Sequence, residues 1–279
     1  MRHINIDSLE RDLPVLSQRF RNAQPFEFIV LDDFLDPDSC QGLLDDHIAS
    51  EGQDAWNSYV HFNERKLGLS AMERMGTHTR DVLEELSSPR FLSWLQDLSG
   101  IDDLVFDPDL DGGGYHKIGR GGFLNVHTDF LAHNIRPHWS RQLNLLVYLN
   151  KDWQDEYGGH LELWDEQMTK AHEVVPPVFN RCVIFHTTEN SYHGHPDPLA
   201  CPQDMARRSL ALYYFREEAE KLPIKSTHYR GRPHESVAKK ALIALDRMAV
   251  RAYSGAKRSL GLRDHHITKL YKLFGKSSS

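Results

Sequence analysis

The chain has 279 residues, 40% hydrophobic and 26% charged, and a formal net charge of −7. These proportions exclude a disordered chain, a collagen-like fibre and a membrane bundle, and no run of about 18 apolar residues is present to span a bilayer. The charge is split: residues 216–279 carry 15 Lys/Arg against 6 Asp/Glu, and residues 1–215 carry 18 against 34.

The start, MRHINIDSLERDL, has charges where a signal peptide needs an apolar stretch. The three cysteines, Cys40, Cys182 and Cys201, are too few and odd in number for a disulfide framework. Both features predict a cytoplasmic protein. PFEFIVLDDFL (25–35) reads as a strand, and PDSCQGLLDDHIAS reads as a helix capped by Asp36 or Asp38, with Pro37 in its first turn. A second helical stretch is expected over 66–98, broken near Ser87–Pro89. From residue 112 the texture changes. GGYHKIG, GFLNVHTDF, RQLNLLVYLN, GGHLELW, RCVIFH and RRSLALYYF are short β-rich runs divided by Gly, Pro and Asn. Such spacing predicts an antiparallel sandwich or barrel. From about 235 the pattern is helical again, with Val237, Leu242 and Leu245 on one stripe, and a short helix follows near DHHITKLYKLF. The predicted organisation is an α+β chain with a mainly β core. Residues 1–110 supply an entry strand and supporting helices, 111–216 the β core, and 217–279 a basic helical extension. That extension would pack on the acidic body, form a homodimer surface or dock substrate. No nucleic-acid motif accompanies its charge.

The candidate chemistry lies in the β core. Residues i and i+2 of a strand share a face, roughly 6.6 Å apart, so His127 and Asp129 can take adjacent positions on one metal ion. A second histidine from another strand would complete a two-His, one-carboxylate face, which leaves open positions and suits non-haem Fe(II). His195 and Asp197 repeat the triplet, but Pro196 lies between them, in a loop-like stretch. The second histidine is to be found among His186, His193 and His195, with a strand returning after RCVIFH the route that would bring His193 beside the pair. In RRSLALYYF, Arg207, Ser209, Ala211 and Tyr213 share one face and Arg208, Leu210, Leu212 and Tyr214 the other. A guanidinium inside a barrel needs an anion. A carboxylate-bearing cosubstrate would supply it, with Ser209 as a second donor; a structural salt bridge is the plainer use. His133, His138, His160 and His172 read as solvated loop residues, and HNIRPHWSR, with Trp139, as a mobile loop beside the site.

The order Tyr115, His127-Thr-Asp129, LVYLNKDW, GGHLELW, SYHGHP and Arg207-x-Ser209 resembles the Fe(II)- and 2-oxoglutarate-dependent dioxygenases, in particular the prolyl-hydroxylase branch. The resemblance covers roughly residues 25–216. It implies a double-stranded β-helix, jelly-roll or cupin-like, flanked by helices. It implies iron on His127, Asp129 and His193, and 2-oxoglutarate held by Arg207 and Ser209 with Tyr148, Tyr115 and Leu146 lining its pocket. It also implies O₂ as oxidant, ascorbate as a reductant that keeps iron ferrous, and hydroxylation of a prolyl residue in a peptide or protein. The chain departs from the family in its longer His193-to-Arg207 spacing, which leaves room for Arg208, and in HGH, which makes His195 a rival ligand. The same chemistry on a free amino acid, sugar or lipid-linked molecule, a cupin-like metal isomerase or hydrolase, and a silent scaffold on the same fold are the alternatives.

Overall fold

The structure, a computed structural model, describes residues 3–223 and 227–259. Helix α1 (Ile6–Arg21) is capped by Asn5, whose side chain accepts from the Ser8 amide. Strand β1 (Phe28–Leu31) precedes α2 (Pro37–Ser50), where Asp36 is the cap and Pro37 stands in the first turn. The hairpin β2 (Asn57–His61) and β3 (Glu64–Leu69) follows. Next come α3 (Thr77–Leu86), α4 (Pro89–Ser99), capped by Ser88, and β4 (Leu104–Phe106). The core then runs through β5 (Gly114–Gly119), β6 (Phe123–Thr128), β7 (Trp139–Tyr148), β8 (Leu161–Trp164), β9 (Ala171–Val175), β10 (Cys182–His186), β11 (Tyr192–His195) and β12 (Ala206–Glu217). A two-residue strand, β13 (His228–Tyr229), and helix α5 (Val237–Ser259) close the described chain.

The strands pair antiparallel in the order β1-β10-β7-β12-β5-β3-β6-β11-β8-β9, with β2 on β3, β4 on β12 and β13 on β6. The sheet curls on itself. Tyr148, Val183 and Phe185 of one half pack against Leu161, Leu163 and Val175 of the other. This is the double-stranded β-helix that the resemblance implies. Alternation along β7 and β12 sends Leu143, Leu145, Val147, Leu210, Leu212 and Tyr214 to the opposite face, where they meet Phe20, Leu43, Leu83, Phe91 and Trp94 from helices α1–α4. The helices stiffen one wall and leave the interior of the curl for chemistry.

One expectation needs correction. Residues 66–69 are not helical: Lys66-Leu67-Gly68-Leu69 finishes β3, and α-helix begins only at Thr77, after a single 3-10 turn at Met72–Arg74. Strand pairing on both sides of β3 overrides the local pattern. The stripe Val237, Leu242 and Leu245 does not face the body. These side chains are 84%, 47% and 56% exposed, whereas Ile243 is buried. Helix α5 docks through Ile243 and through Asp246, whose carboxylate takes His61 Nδ1 at 2.7 Å and Asn63 Nδ2 at 2.6 Å. The predicted short helix near DHHITKLYKLF lies outside the described residues. No described helix is long and apolar enough to cross a membrane.

Candidate active site

His127 is the penultimate residue of strand β6, and Asp129 stands just beyond the strand. Strand β11 pairs with β6 in a register that sets His193 directly opposite His127. Their rings lie 4.5 Å apart, centre to centre. His127 Nε2 is 3.6 Å from Asp129 Oδ1, and His193 Nε2 is 3.5 Å from Asp129 Oδ2. One ligand atom from each of the three lies within 4.8 Å of the others. His127 Nδ1 is bonded to the Asn125 carbonyl at 2.9 Å and His193 Nδ1 to the Ser191 carbonyl at 3.0 Å. With both Nδ1–H groups donating to backbone, both Nε2 lone pairs turn to the shared point. Metal-binding imidazoles are oriented in this way.

The acid is prepared as well. Burial opposes charge on Asp129, but the Arg141 guanidinium and the imidazoles of His193 and His127 hold its carboxyl well below the usual carboxylate range. Asn144 Nδ2 donates to Asp129 Oδ2 at 2.7 Å, and Arg141 Nη2 lies 3.2 Å from the same oxygen. Burial, with His127 beside it, pushes His193 down to about 4, so it is a neutral ligand at neutral pH. This donor set fits a divalent metal ion.

The registers of β5, β12 and β7 extend the site along the inner face of the sheet. Gly68, His116, Ser209 and Tyr148 form one transverse row, and Arg207 pairs with Ile118 in the next. Arg207 is 5% exposed; its Nε donates to the Gly159 carbonyl at 2.7 Å and its Nη2 to the Tyr148 hydroxyl at 3.2 Å. Among the described residues no carboxylate pairs with it. Arg208 lies on the outer face, where its Nε donates to Glu51 at 2.7 Å. Leu146 shares the inner face with Tyr148, opposite Ala211.

The structure brings His127, Asp129, His193, Arg207, Ser209, Tyr148 and Leu146 to the inner face of the curled sheet but sends Tyr115 elsewhere. Tyr115 pairs with Leu210 on the helix-facing side, its hydroxyl bonded to Thr79 and its ring 4.6 Å from that of His47. His116 takes the inward place. The assignment of Tyr115 to the pocket fails because the register between β5 and β12, which local alternation does not reveal, decides the face. His186 pairs with Glu27, and Asp197 is claimed by Arg232 at 2.5 Å. His133 is also corrected. It is fully buried, with Nε2 3.1 Å from Asp107, and Arg136 joins the same carboxylate, so the loop before Trp139 is pinned.

Sequence reasoning missed Asn144 and Arg141. Asn144 was within reach, because it lies two and four residues before Leu146 and Tyr148 on their face. Arg141 was not, because the register shift between Tyr214 and Phe215 moves it off that alternation and onto Asp129.

Residues 113–215 match the family model described as the 2OG-Fe(II) oxygenase superfamily. The matched stretch, which runs from β5 to β12, holds His127, Asp129, His193 and Arg207. Over a longer stretch, the chain is similar to prolyl 3-hydroxylase OGFOD1 of Mus musculus, with 23% identity over 199 residues. The match takes in 70% of this chain and 33% of that protein, so this chain spans about a third of its relative's length. Among solved structures, a Pseudomonas putida prolyl-4-hydroxylase superposes with a TM-score of 0.52 at 16% identity, over 73% of this chain and 100% of that one. A prolyl hydroxylase from Trichoplax adhaerens, in complex with a hypoxia-inducible-factor peptide fragment, gives 0.56 at 18%, over 75% and 91%. The epimerase SnoN, in complex with Fe3+ and alpha ketoglutarate, gives 0.52 at 13%, over 80% and 97%. At these identities the likeness is one of fold.

Proposed function

We propose that the protein is an Fe(II)- and 2-oxoglutarate-dependent hydroxylase of a prolyl residue in a peptide or protein. The observation that carries this reading is Arg207, a buried guanidinium without an acidic partner among the described residues, in the cavity that holds His127, Asp129 and His193. Burying such a charge is costly unless an anion meets it. A dicarboxylate that reaches from a metal ion to Arg207 supplies that anion, with the Tyr148 hydroxyl and Ser209 beside it. When bound, iron and 2-oxoglutarate supply O₂ activation, leaving succinate and CO₂ and placing one oxygen atom on an unactivated C–H.

The chain's own share is orientation and charge. His127, His193 and Asp129 hold the metal. Asn144 and Arg141 hold Asp129. Leu146 and Phe185 keep the wall dry. Arg141 Nη1 is buried with no hydrogen-bond partner among the described residues, so it offers a donor beside the metal for a substrate carbonyl. The similarity to prolyl hydroxylases favours a prolyl substrate, whereas SnoN shows that the same fold also serves an epimerase. Three buried free thiols suit a reducing, cytoplasmic setting. Ascorbate is the proposed reductant for iron that becomes oxidised without turnover.

The test is succinate release that requires both iron and 2-oxoglutarate, followed by mass spectrometry of candidate peptides for the gain of one oxygen atom. Activity that survives chelation, or turnover without 2-oxoglutarate, rejects the proposal.

A further inference from the structure

His195 is 3% exposed, and neither of its ring nitrogens has a hydrogen-bond partner among the described residues. A neutral imidazole always presents one N–H and one lone pair. Leaving both bare in the interior costs more than a surface position would, and buried polar groups are almost always satisfied. The ligand atoms that converge on the metal point belong to His127, Asp129 and His193, not to His195. A register shift between His193 and His195 sets His195 opposite Leu124, which in turn pairs with Glu64. Two residues on from Glu64 along β3, on the same face, Lys66 stands beside the row in which Ile118 pairs with Arg207. Lys66 already has an acid, Glu64, at 3.1 Å. Arg207 has none among the described residues. By register, the row of His195 thus lies between that of His127 and His193 and that of the unpaired guanidinium.

We infer that His195 is a further cosubstrate-binding residue, donating a hydrogen bond to the carboxylate of 2-oxoglutarate that Arg207 holds. This rests on the proposed function and adds a residue to it. A carboxylate has about four acceptor positions, more than one guanidinium edge and the Tyr148 hydroxyl fill. An uncharged donor serves the remainder without setting a second cation against Arg207. The unmet donor of the protein and the unmet acceptor of the ligand then satisfy each other.

The experiment measures 2-oxoglutarate binding by calorimetry to the full chain loaded with Mn(II), for the native protein and for H195L, H195N and H195Q, beside a separate titration of Mn(II) alone. The expected result is that H195L keeps its Mn(II) affinity and binds 2-oxoglutarate about tenfold or more weakly. At least one of H195N and H195Q, each with an amide donor, recovers most of that loss. If H195L does not fold, by circular dichroism, the two amide variants decide. The inference then requires one of them to bind within about threefold of the native protein and the other, whose donor is misplaced, to bind more weakly. Unchanged 2-oxoglutarate affinity in H195L overturns the assignment. Loss of Mn(II) in H195L makes His195 a metal ligand and also overturns it. A native protein that takes Mn(II) but no 2-oxoglutarate defeats the proposed function itself, an outcome distinct from failure of His195 alone.

Discussion

Asn144 Nδ2 donates a 2.7 Å hydrogen bond to Asp129 Oδ2, tying the carboxylate of the metal cluster to strand β7, the strand that also carries Tyr148. The orientation of the acid is therefore set from the strand that lines the cosubstrate end. Groups that orient metal ligands typically matter 10- to 100-fold for metal affinity or activity. N144A is expected to weaken metal binding by roughly tenfold with little change in fold, read by metal titration beside a melting curve. Asn144 Oδ1 also accepts from Arg141 Nε at 2.7 Å. The variant therefore releases Arg141 too, and N144D, which keeps that acceptor but sets a second negative charge beside Asp129, should be the more damaging of the two.

Arg207 and Arg208 are sequence neighbours with opposite duties. R207Q removes the unpaired guanidinium from the cavity and is expected to raise the 2-oxoglutarate KM or Kd by roughly 10- to 100-fold, the equivalent of about 1.5–3 kcal/mol. R208Q breaks the link to Glu51 on the outer face and is expected to lower stability by about 1 kcal/mol while leaving cosubstrate affinity within about twofold. Equal effects on binding would mean that the cavity does not use Arg207 as an anion site. Calorimetry and thermal melting on the same samples separate the two.

Acid should destabilise the metal-free protein in a particular window. His116 is pushed down to about 3 by burial and by Lys66, and His193 to about 4 by burial and by His127. Burial also lowers His47, and burial with Arg207 beside it lowers His195. Each native imidazole therefore refuses a proton that the unfolded chain accepts once the pH falls below about 6.5. The unfolded state binds more protons, so stability falls as the pH drops from about 6.5 towards 4, by up to about 1.4 kcal/mol per pH unit for each such group. His61 works the other way: burial opposes its charge, but Glu64 and Asp246 raise it, so its contribution is retained in acid. Glu64, held down to about 2 by Lys66 and His61 against its burial, adds its own loss only below about 4.5. H116Q should flatten the slope between pH 6.5 and 4.5, measured by denaturant melts at fixed ionic strength. An unchanged slope would place the acid sensitivity elsewhere.

The cysteines should be inert in the native protein. Burial pushes the Cys40 thiol up to about 12 and raises Cys182 well above its ordinary value, and Cys201 is raised as well. The thiolate is the reactive form, so a neutral-pH alkylating reagent is expected to modify none of the three in minutes and all three in denaturant. Mass spectrometry counts the adducts. Rapid labelling of Cys201 in the folded protein would show that the loop it occupies opens.

The site was legible where chemistry and strand parity coincide. His127 and Asp129 lie two residues apart at the end of a strand, and Arg207, Ser209, Leu146 and Tyr148 follow from simple alternation. What alternation cannot supply is the register between strands distant in sequence. Tyr115 and His116 are neighbours, and only the pairing of His116 with Ser209 decides which enters the cavity. Arg141 is hidden by a register shift, His195 lies beside another, and a shift of this kind reverses the faces beyond it. His133 was misjudged because its partner, Asp107, is 26 positions away and belongs to a turn with no pattern of its own. The outward stripe on α5 shows the same limit: periodicity marks an apolar face without saying what covers it.

That turn yields the last prediction. Asp107 is 1% exposed and receives the amides of Asp109 and Asp111 at 3.0 and 2.6 Å, His133 Nε2 at 3.1 Å and Arg136 Nη1 at 3.4 Å. The His133 ring in turn packs against Trp139 and Phe215. One carboxylate thus fastens the segment before β7 to the turn after β4. Removing one partner of a buried charged pair typically costs 3–5 kcal/mol, because the other is left uncompensated. D107A is expected to lose about that much stability and to open the 131–138 segment, read as faster amide exchange there than in β7. D107N keeps the shape and one acceptor, and should recover the fold but not the full stability. If both variants melt like the native protein, the knot at Asp107 does not hold the loop, and the rim of the cavity on that side is mobile after all.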